Sequence, residues 1–515
     1  METLDFGHST QLSKLGALPK EELIKRYCLM EAELKRLIGE LYSLRNVNVS
    51  QEQQALILQE QLGELQNKVF GTSSEKYKKL GPFNNNNDGN GNNSKPAKEP
   101  KSRVKSLTER YPDLILREQT IGLQSPPVCQ CCSSVMTATS MTEDSEQLTV
   151  IPKKFEIFRQ KRVKYTCQCH GSVVTTPAPE RIIPGSSYSD EMIKDVALSK
   201  YVDLIPINRY AAMVDRLQYF KLPPHSLIEL THQFADFVDP VYKLLKKEIL
   251  KARILSADET PHRMLEGDEK KSWYLWGFST SLHCYLECHD TRSADIASEV
   301  LLKSQCEVLL SDVYSGYGKA IRVTNVERQK QGLKLIQPAH CNAHARRYFK
   351  KAMEAHSEAE YYVATYHKIY DLNSQSKGKD PPEILRLRQN MVPLFEEMKK
   401  RAHEELSQYS RNGKYGKGLR YFLDHYSTLT FFINDPDVPI DNNAQERNLR
   451  PHVVGRKTWY GTHSPRGALT AAIMFSIVES CKLVQVNPRQ YFDQLVADLL
   501  EGKTAYTPAQ FKLTQ

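Results

Sequence analysis

Apolar residues between positions 20 and 70 recur in steps of four and three. Leu23, Tyr27, Met30, Leu34, Leu37, Leu41 and Leu44 begin the series, and the same register continues through the amides Asn48 and Gln51 to Ala55, Leu58, Leu62, Leu65 and Val69. A 3.5-residue period held this long is the pattern of a coiled coil, here assigned to residues 20–78 as a dimerisation segment. With Leu23 at position d, Asn48 falls at a, where a buried amide fixes register and favours two strands. The competing arrangement is a long surface helix on a globular core. Residues 79–110 come next and include "GPFNNNNDGNGNNSKPAKEPKSR", almost free of apolar side chains. Such a stretch cannot offset its ordering entropy, so a disordered linker is expected.

The period changes twice more. Within 120–180, "EQLTVIPKKFEIFRQKRVKYT" alternates and is rich in β-formers, which predicts a hairpin. Residues 188–250 take helical spacing: "IPINRYAAMVDRL" and "PHSLIELTHQFADFV" flank a break at "QYFKLP", the outline of a helix-turn-helix-like region. From 252 onward short apolar strands appear. "RILSAD", ending in Asp258, "SWYLWGFST" and "HCYLECHD" are close enough to form an antiparallel meander. "SADIASEVLLKS" is helical, "CEVLLSD" is a strand ending in Asp312, and "LKLIQPAH" is a strand before the helix of "NAHARRYFKKAMEAH". This element order is that of a ribonuclease-H-like fold, in which the first and fourth strands are neighbours. Residues 351–435 are helical and polar and read as an insertion. The core, 251–350, resumes over 436–482 with the apolar helix "ALTAAIMFSIVESCKL", and 483–515 form a helical tail. The expected class is therefore α/β multidomain: coiled coil, small zinc-binding β segment, helical region and ribonuclease-H-like core.

Composition adds bounds. The 515 residues are 40% hydrophobic and 25% charged, enough for a packed core in three or four domains. The net charge of +9 favours polyanionic partners. No apolar run approaches the ~20 residues that span a bilayer, and the N-terminus has no export pattern. The 11 cysteines are thus expected as reduced thiols or metal ligands in a cytoplasmic, nucleoid-associated protein. Cys129 and Cys132 have C-x2-C spacing, Cys167 and Cys169 C-x-C spacing, and together they suit a structural, tetrahedral Zn2+ site. Cys131 and His170 are spare candidates.

Asp258, Asp312 and Glu446 carry the other candidate chemistry. Mg2+ or Mn2+ takes oxygen ligands, and a pair of ions clamped by carboxylates stabilises both oxygens of a phosphoryl displacement. Asp258 is the candidate for the bridging carboxylate, because the first strand is central in such a sheet. Each aspartate alone could equally be a turn or cap residue. Glu446 lies in "IDNNAQERNLRP", where Asp441 can cap a helix that Pro451 ends, and Glu446 and Arg450 share a face. Arg447 and Arg450, with Arg456, Lys457 and Trp459 just beyond, suit phosphate contact and base stacking. The alternative is an i,i+4 salt bridge on a solvated helix. Cys341 and His344 have C-x2-H spacing; they are either a metal pair or part of a helix packed near the sheet.

With these residues assembled, the chain resembles the transposases of bacterial insertion sequence family 66. "LQNKVFGTSSEKYK", "VCQCC…YTCQCHGSVVTTPAP", "SKYVDLIPINRY", "ADETP", "LLSDVYSGY", "CNAHARRYF", "PIDNNAQERNLRPHVVGRKTWYGTHSPRGA" and "VNPRQYFDQLV" carry the likeness. The resemblance implies a D-D-E transposase with Asp258, Asp312 and Glu446 as its triad. Its substrates would be double-stranded DNA at element ends and at the target. It would act as a homodimer or higher oligomer, with accessory proteins of the same element as possible partners and no membrane. Two other readings remain: a catalytically silent sequence-specific DNA-binding protein, and a structure-specific nuclease of the same fold. The Asn-rich linker and the doubled cysteine of "CQCC" depart from the family pattern, and the second leaves Cys131 and Cys132 as rivals for one ligand position.

Overall fold

In the computed structural model of the protein, the described residues are 106–119, 125–127, 130–131, 133–136, 145–150, 153–166, 173–218, 220–265 and 272–514. The heptad segment, most of the expected linker, and Cys129, Cys132, Cys167 and Cys169 lie outside them. The described residues from 106 to 160 belong to one compact unit and those from 161 onward to another. In the first, Leu107–Arg110 makes a helical turn. The turn has local support: Ser106 Oγ accepts the Glu109 N–H at 3.1 Å, and Glu146 accepts the Leu107 and Thr108 N–H groups.

In the larger unit, Lys164–Thr166 pairs antiparallel with Val173–Thr175. The hairpin was expected to lie between the two cysteine pairs. Instead its strands flank residues 167–172, which contain the second pair.

The main sheet has strands β1 (Ile254–Arg263), β2 (Ser272–Ser279), β3 (Cys284–His289), β4 (Val308–Ser311) and β5 (Gln337–His340) in the order β3-β2-β1-β4-β5. β1, β2 and β3 form the antiparallel meander; β4 and β5 run parallel to β1. The first and fourth strands are neighbours, as the element order predicts. β4 is buried at all four positions, which is why "VLLS" is an unbroken apolar run rather than an alternation. β1 runs five residues past Asp258, contrary to the sequence expectation. It passes through Pro261, where the strand is paired with β2 but no longer with β4, so the missing proline N–H is tolerated.

Helices α1 (Asp190–Tyr201), α2 (Ile207–Gln218) and α3 (Pro224–Lys251) precede the sheet. α2 and α3 are the expected helix pair, but α3 is long and buries Leu227, Leu230, Phe234, Val238, Leu245 and Ile249 in the core. α4 (Ala294–Lys303) and α5 (Ser315–Lys330) cross over before β4 and β5. α6 (Asn342–Ala352) leads from β5 into the insertion, α7 (Ala359–Gln375), α8 (Pro381–Gln389), α9 (Val392–Leu406), α10 (Lys414–Asp424) and α11 (Tyr426–Leu429). The insertion helices share one apolar core with the sheet: Val308, Leu310 and Ala339 are continuous with Phe349, Tyr362, Phe395 and Phe422.

α12 (Asn443–Trp459) packs on β1 and β2, and α13 (Pro465–Leu483) on β3. The Ser480 and Ser476 hydroxyls of α13 accept the Cys284 and Leu286 N–H groups at 2.9 and 2.8 Å, which closes the free edge of β3. α14 (Pro488–Leu500) and α15 (Pro508–Thr514) complete the chain. Among the described residues no single helix is long and apolar enough to cross a membrane.

Candidate active site

Register brings the two aspartates together. Ser256 is aligned with Leu310 in the parallel β1–β4 pair, so two residues further along Asp258 stands beside Asp312. Pairing between the strands has stopped there, the last aligned pair being Ser256 and Leu310. Asp258 Oδ1 accepts the Glu259 N–H at 2.9 Å, and Asp312 Oδ1 the Tyr314 N–H at 3.0 Å. Burial pushes the Asp258 carboxyl up to about 8, reinforced by the charges of Glu259, Asp312 and, least, Glu446. Three acids from separate parts of the chain therefore act on one carboxyl.

Glu259 was not singled out from sequence. Its carboxylate is 2% exposed and accepts hydrogen bonds from Arg292 Nε at 2.8 Å and the Tyr317 hydroxyl at 2.6 Å. These bonds hold it as a structural acid beside Asp258. The Arg292 guanidinium in turn lies over the Tyr314 ring at 4.0 Å.

Glu446 sits in the first turn of α12, and the amides around it account for how that helix is seated. Asn442 is 2% exposed; its Nδ2 donates to the Ala257 carbonyl at 2.8 Å, next to Asp258. Gln445 is fully buried above Gly277, the β2 partner of Asp258, and a Cβ on Gly277 would lie 2.0 Å from Gln445 Nε2. Further along, His262 of β1 meets His452 of α12, Nδ1 to Nε2, at 2.8 Å, and Thr462 Oγ1 at 2.7 Å. Burial holds His262 down at about 4 and His452 well below the ordinary range. Asp441 accepts the Asn443 N–H at 3.1 Å from one position ahead of the cap, Asn442. It also accepts from Tyr370 of the insertion at 2.8 Å. Pro451 does not end the helix: α12 continues to Trp459, because Leu449, His452 and Gly455 keep one face in the core.

The alternative, an i,i+4 pair of Glu446 with Arg450, is not what Glu446 makes. Its Oε2 lies 3.5 Å from Arg347 Nη2, and its Oε1 lies 3.7 Å from His344 Nδ1. Cys341, His344 and Glu446 offer ligand atoms all within 4.8 Å of one another. Cys341 is fully buried and its Sγ accepts the Asn442 N–H at 3.2 Å. Burial and Arg347 push His344 down, against the pull of Glu446, Asp312 and Asp441.

Arg447 and Arg450 are exposed on α12, with Lys457 further along; Arg456 is half-buried. The Trp459 ring folds back over Gly455, 2.4 Å from where a Cβ would be, and faces Lys200 at 5.9 Å. Asn442, Gln445, Gly277, His262 and His452 escaped sequence reasoning as positioning residues. The only signal available for them was the run of amides around Glu446.

The family model described as "Transposase IS66 family" matches residues 185–470, which includes every residue of this cluster. Three uncharacterized proteins of Sinorhizobium fredii are similar over most of their length. The protein y4hP is 24% identical over 78% of this chain and 75% of its own; y4qI is 26% identical over 80% and 76%. The third, y4jD, is 24% identical over 73% and 75%.

Proposed function

The chain belongs to the transposase IS66 family, and from that premise we propose that it cuts and joins DNA at insertion-sequence ends through Asp258, Asp312 and Glu446. The sheet order and the acid-bearing helix laid across it support a ribonuclease-H-like core. The carrying observation is the convergence on Asp258: a buried carboxyl feels Asp312 and Glu446, acids 54 and 188 residues away along the chain (312 − 258 and 446 − 258). An all-oxygen donor set of three carboxylates, with only Glu446 near a cationic side chain, Arg347, fits hard divalent cations. Mg2+ or Mn2+ held there would activate water and stabilise the leaving oxygen of the phosphodiester.

The protein's own groups do the rest. Asp258 and Asp312 are fixed by backbone N–H bonds, so they need little reorganisation on binding. Asn442 and Gln445 set the depth of α12 and hence of Glu446. Arg447 and Arg450, exposed on the same helix, contact backbone phosphates, which weakens binding as salt rises. The freed 3′-hydroxyl then attacks a target phosphodiester at the same carboxylates, the target strand's 3′-oxygen leaving as the new P–O bond forms, without a covalent enzyme intermediate. The wider proposal, on sequence grounds, adds Zn2+ on Cys129, Cys132, Cys167 and Cys169, DNA-end binding by the α2–α3 region, and oligomerisation through 20–78.

The test uses end-labelled duplex carrying the element's terminal repeats. Mg2+-dependent nicking and label joined to a second duplex are expected from the native protein, with neither from Asp258→Asn. Equal activity in both would remove the triad. Cutting without joining would favour the nuclease reading, and binding alone the silent one.

A further inference from the structure

Cys341 and His344 are not absorbed by that function, and their ligand atoms lie within 4.8 Å of that of Glu446, which is. His344 Nδ1 and Glu446 Oε1 are both buried and without a hydrogen-bond partner, although they face one another at 3.7 Å. That gap is too wide for a hydrogen bond. It is a few tenths of an ångström beyond the roughly 3.3–3.4 Å expected for two ligands on one tetrahedral Zn2+ with bonds of about 2.0–2.1 Å, so a small side-chain rotation would seat both. The third donor, Cys341 Sγ, is already oriented by the Asn442 N–H at 3.2 Å. Cys341 and His344 leave the end of β5 and the first turn of α6, and Glu446 comes from α12. The donors are therefore set by backbone on two elements rather than by a loop.

We propose that Cys341, His344 and Glu446 form a second metal site, selective for Zn2+ or a similar thiolate-binding cation. Filling it withdraws Glu446 from Asp258 and Asp312 and halts the reaction. Thiolate, imidazole and carboxylate together are a zinc set, whereas Mg2+ demands near-octahedral oxygen and discriminates against sulfur. Three protein ligands leave a fourth position for water. On binding, the Cys341 thiol gives its proton to bulk water. With Oε1 on the cation beside His344 and Oε2 beside Arg347, the Glu446 carboxylate is turned from the aspartates, so the two cations compete through one side chain. This inhibitory consequence rests on the proposed role of Glu446; the binding site itself does not.

The test is Co2+ titration of the full chain, read by thiolate-to-cobalt charge transfer and by d–d absorption. Cys341→Ser and His344→Gln are compared with the native protein, and the N-terminal cysteines form a background common to all three. The native chain is expected to bind one more Co2+ than either variant, displaceable by Zn2+. The Zn2+ concentration that half-inhibits Mg2+-driven nicking should rise about tenfold or more in each variant, relative to that variant's own Mg2+ rate. Asp258→Asn should keep the extra Co2+ although it does not nick. Equal Co2+ stoichiometry and spectra in the native protein and a folded variant would overturn the site. An extra Co2+ in a native protein that never nicks would support the site and overturn only the competition. Either variant suffices if the other fails to fold, as judged by circular dichroism.

Discussion

At the scale of single residues, Asp258 places function against stability. Its carboxyl titrates near 8 in the fold and near 4 in an unfolded chain. A raised acid favours the folded state only while protonated, so its contribution falls as pH climbs from about 4 to about 8 and stays low above that. Asp258→Asn removes this penalty while keeping the shape. The variant is expected to melt at or above the native temperature at pH 8 without divalent cations, while nicking is lost. Mg2+ should raise the melting temperature of the native protein and leave the variant nearly unmoved, because ligation stabilises only what it binds. A thermal melt series with and without Mg2+ reads both effects; an equal Mg2+ shift in the two proteins would separate Asp258 from the cation.

At the scale of elements, the site depends on how α12 is seated on β1 and β2. Gly277 leaves the space that Gln445 fills, so Gly277→Ala drives a methyl toward Gln445 Nε2. Overpacking of this kind costs about 1–3 kcal/mol, and a small lift of α12 would also move Glu446. Gly277→Ala is expected to lower both stability and nicking, and adding Gln445→Ala should restore part of each; a double-mutant cycle without coupling would refute the contact. The His262–His452 link makes a separate, acid-sensitive connection. His262 stays neutral to about pH 4, whereas an unfolded histidine takes its proton near 6.5. Stability from this ring is complete above pH 6.5 and is lost as pH falls to 4, at most roughly 3 kcal/mol. Urea midpoints across that window should fall less steeply for His262→Gln than for the native protein.

These elements also show what was readable along the chain. The strands and both aspartates were legible, because "LLSD" and "LSAD" join apolar runs to an acid and the order of elements fixes which strands meet. The acid in "IDNNAQERN" was legible by its company of amides and arginines. The end of β1 was not: Pro261 reads as a break, yet it falls where the strand has only one partner. Pro451 misled for a similar reason, since burial of Leu449 and His452 carries α12 through it. Pairings such as Asn442 with Ala257 or His262 with His452 join residues far apart in sequence and leave no periodic trace. The contact of Glu446 with His344 and Arg347, rather than Arg450, belongs to the same class.

At the scale of the whole molecule, the helical insertion looks detachable in sequence but is not detached in space. Its polar surface and helical spacing suggest a module hung from the catalytic core. Its buried side chains show otherwise: Tyr362, Tyr366, Phe395 and Phe422 share a core with Val308, Leu310 and Ala339 of the sheet and Phe349 of α6. Phe349 stacks on Tyr362 at 4.2 Å with the rings 5° from parallel, so α6 is braced from the insertion side. Tyr366 donates to Asn342 at 3.3 Å and Tyr370 to Asp441 at 2.8 Å, which ties α7 to the starts of both helices that carry His344 and Glu446. Replacing residues 359–429 by a short flexible linker would expose these apolar faces of α6, β4 and β5, and exposing several aromatic or branched side chains at about 1.5–3 kcal/mol each exceeds a usual domain's stability. The shortened chain is therefore expected to lose cooperative melting or to aggregate, rather than fold with weakened DNA binding. A cooperative melt with native-like near-ultraviolet circular dichroism would instead make the insertion an appendage, and the seating of α6 and α12 would have to come from the sheet alone.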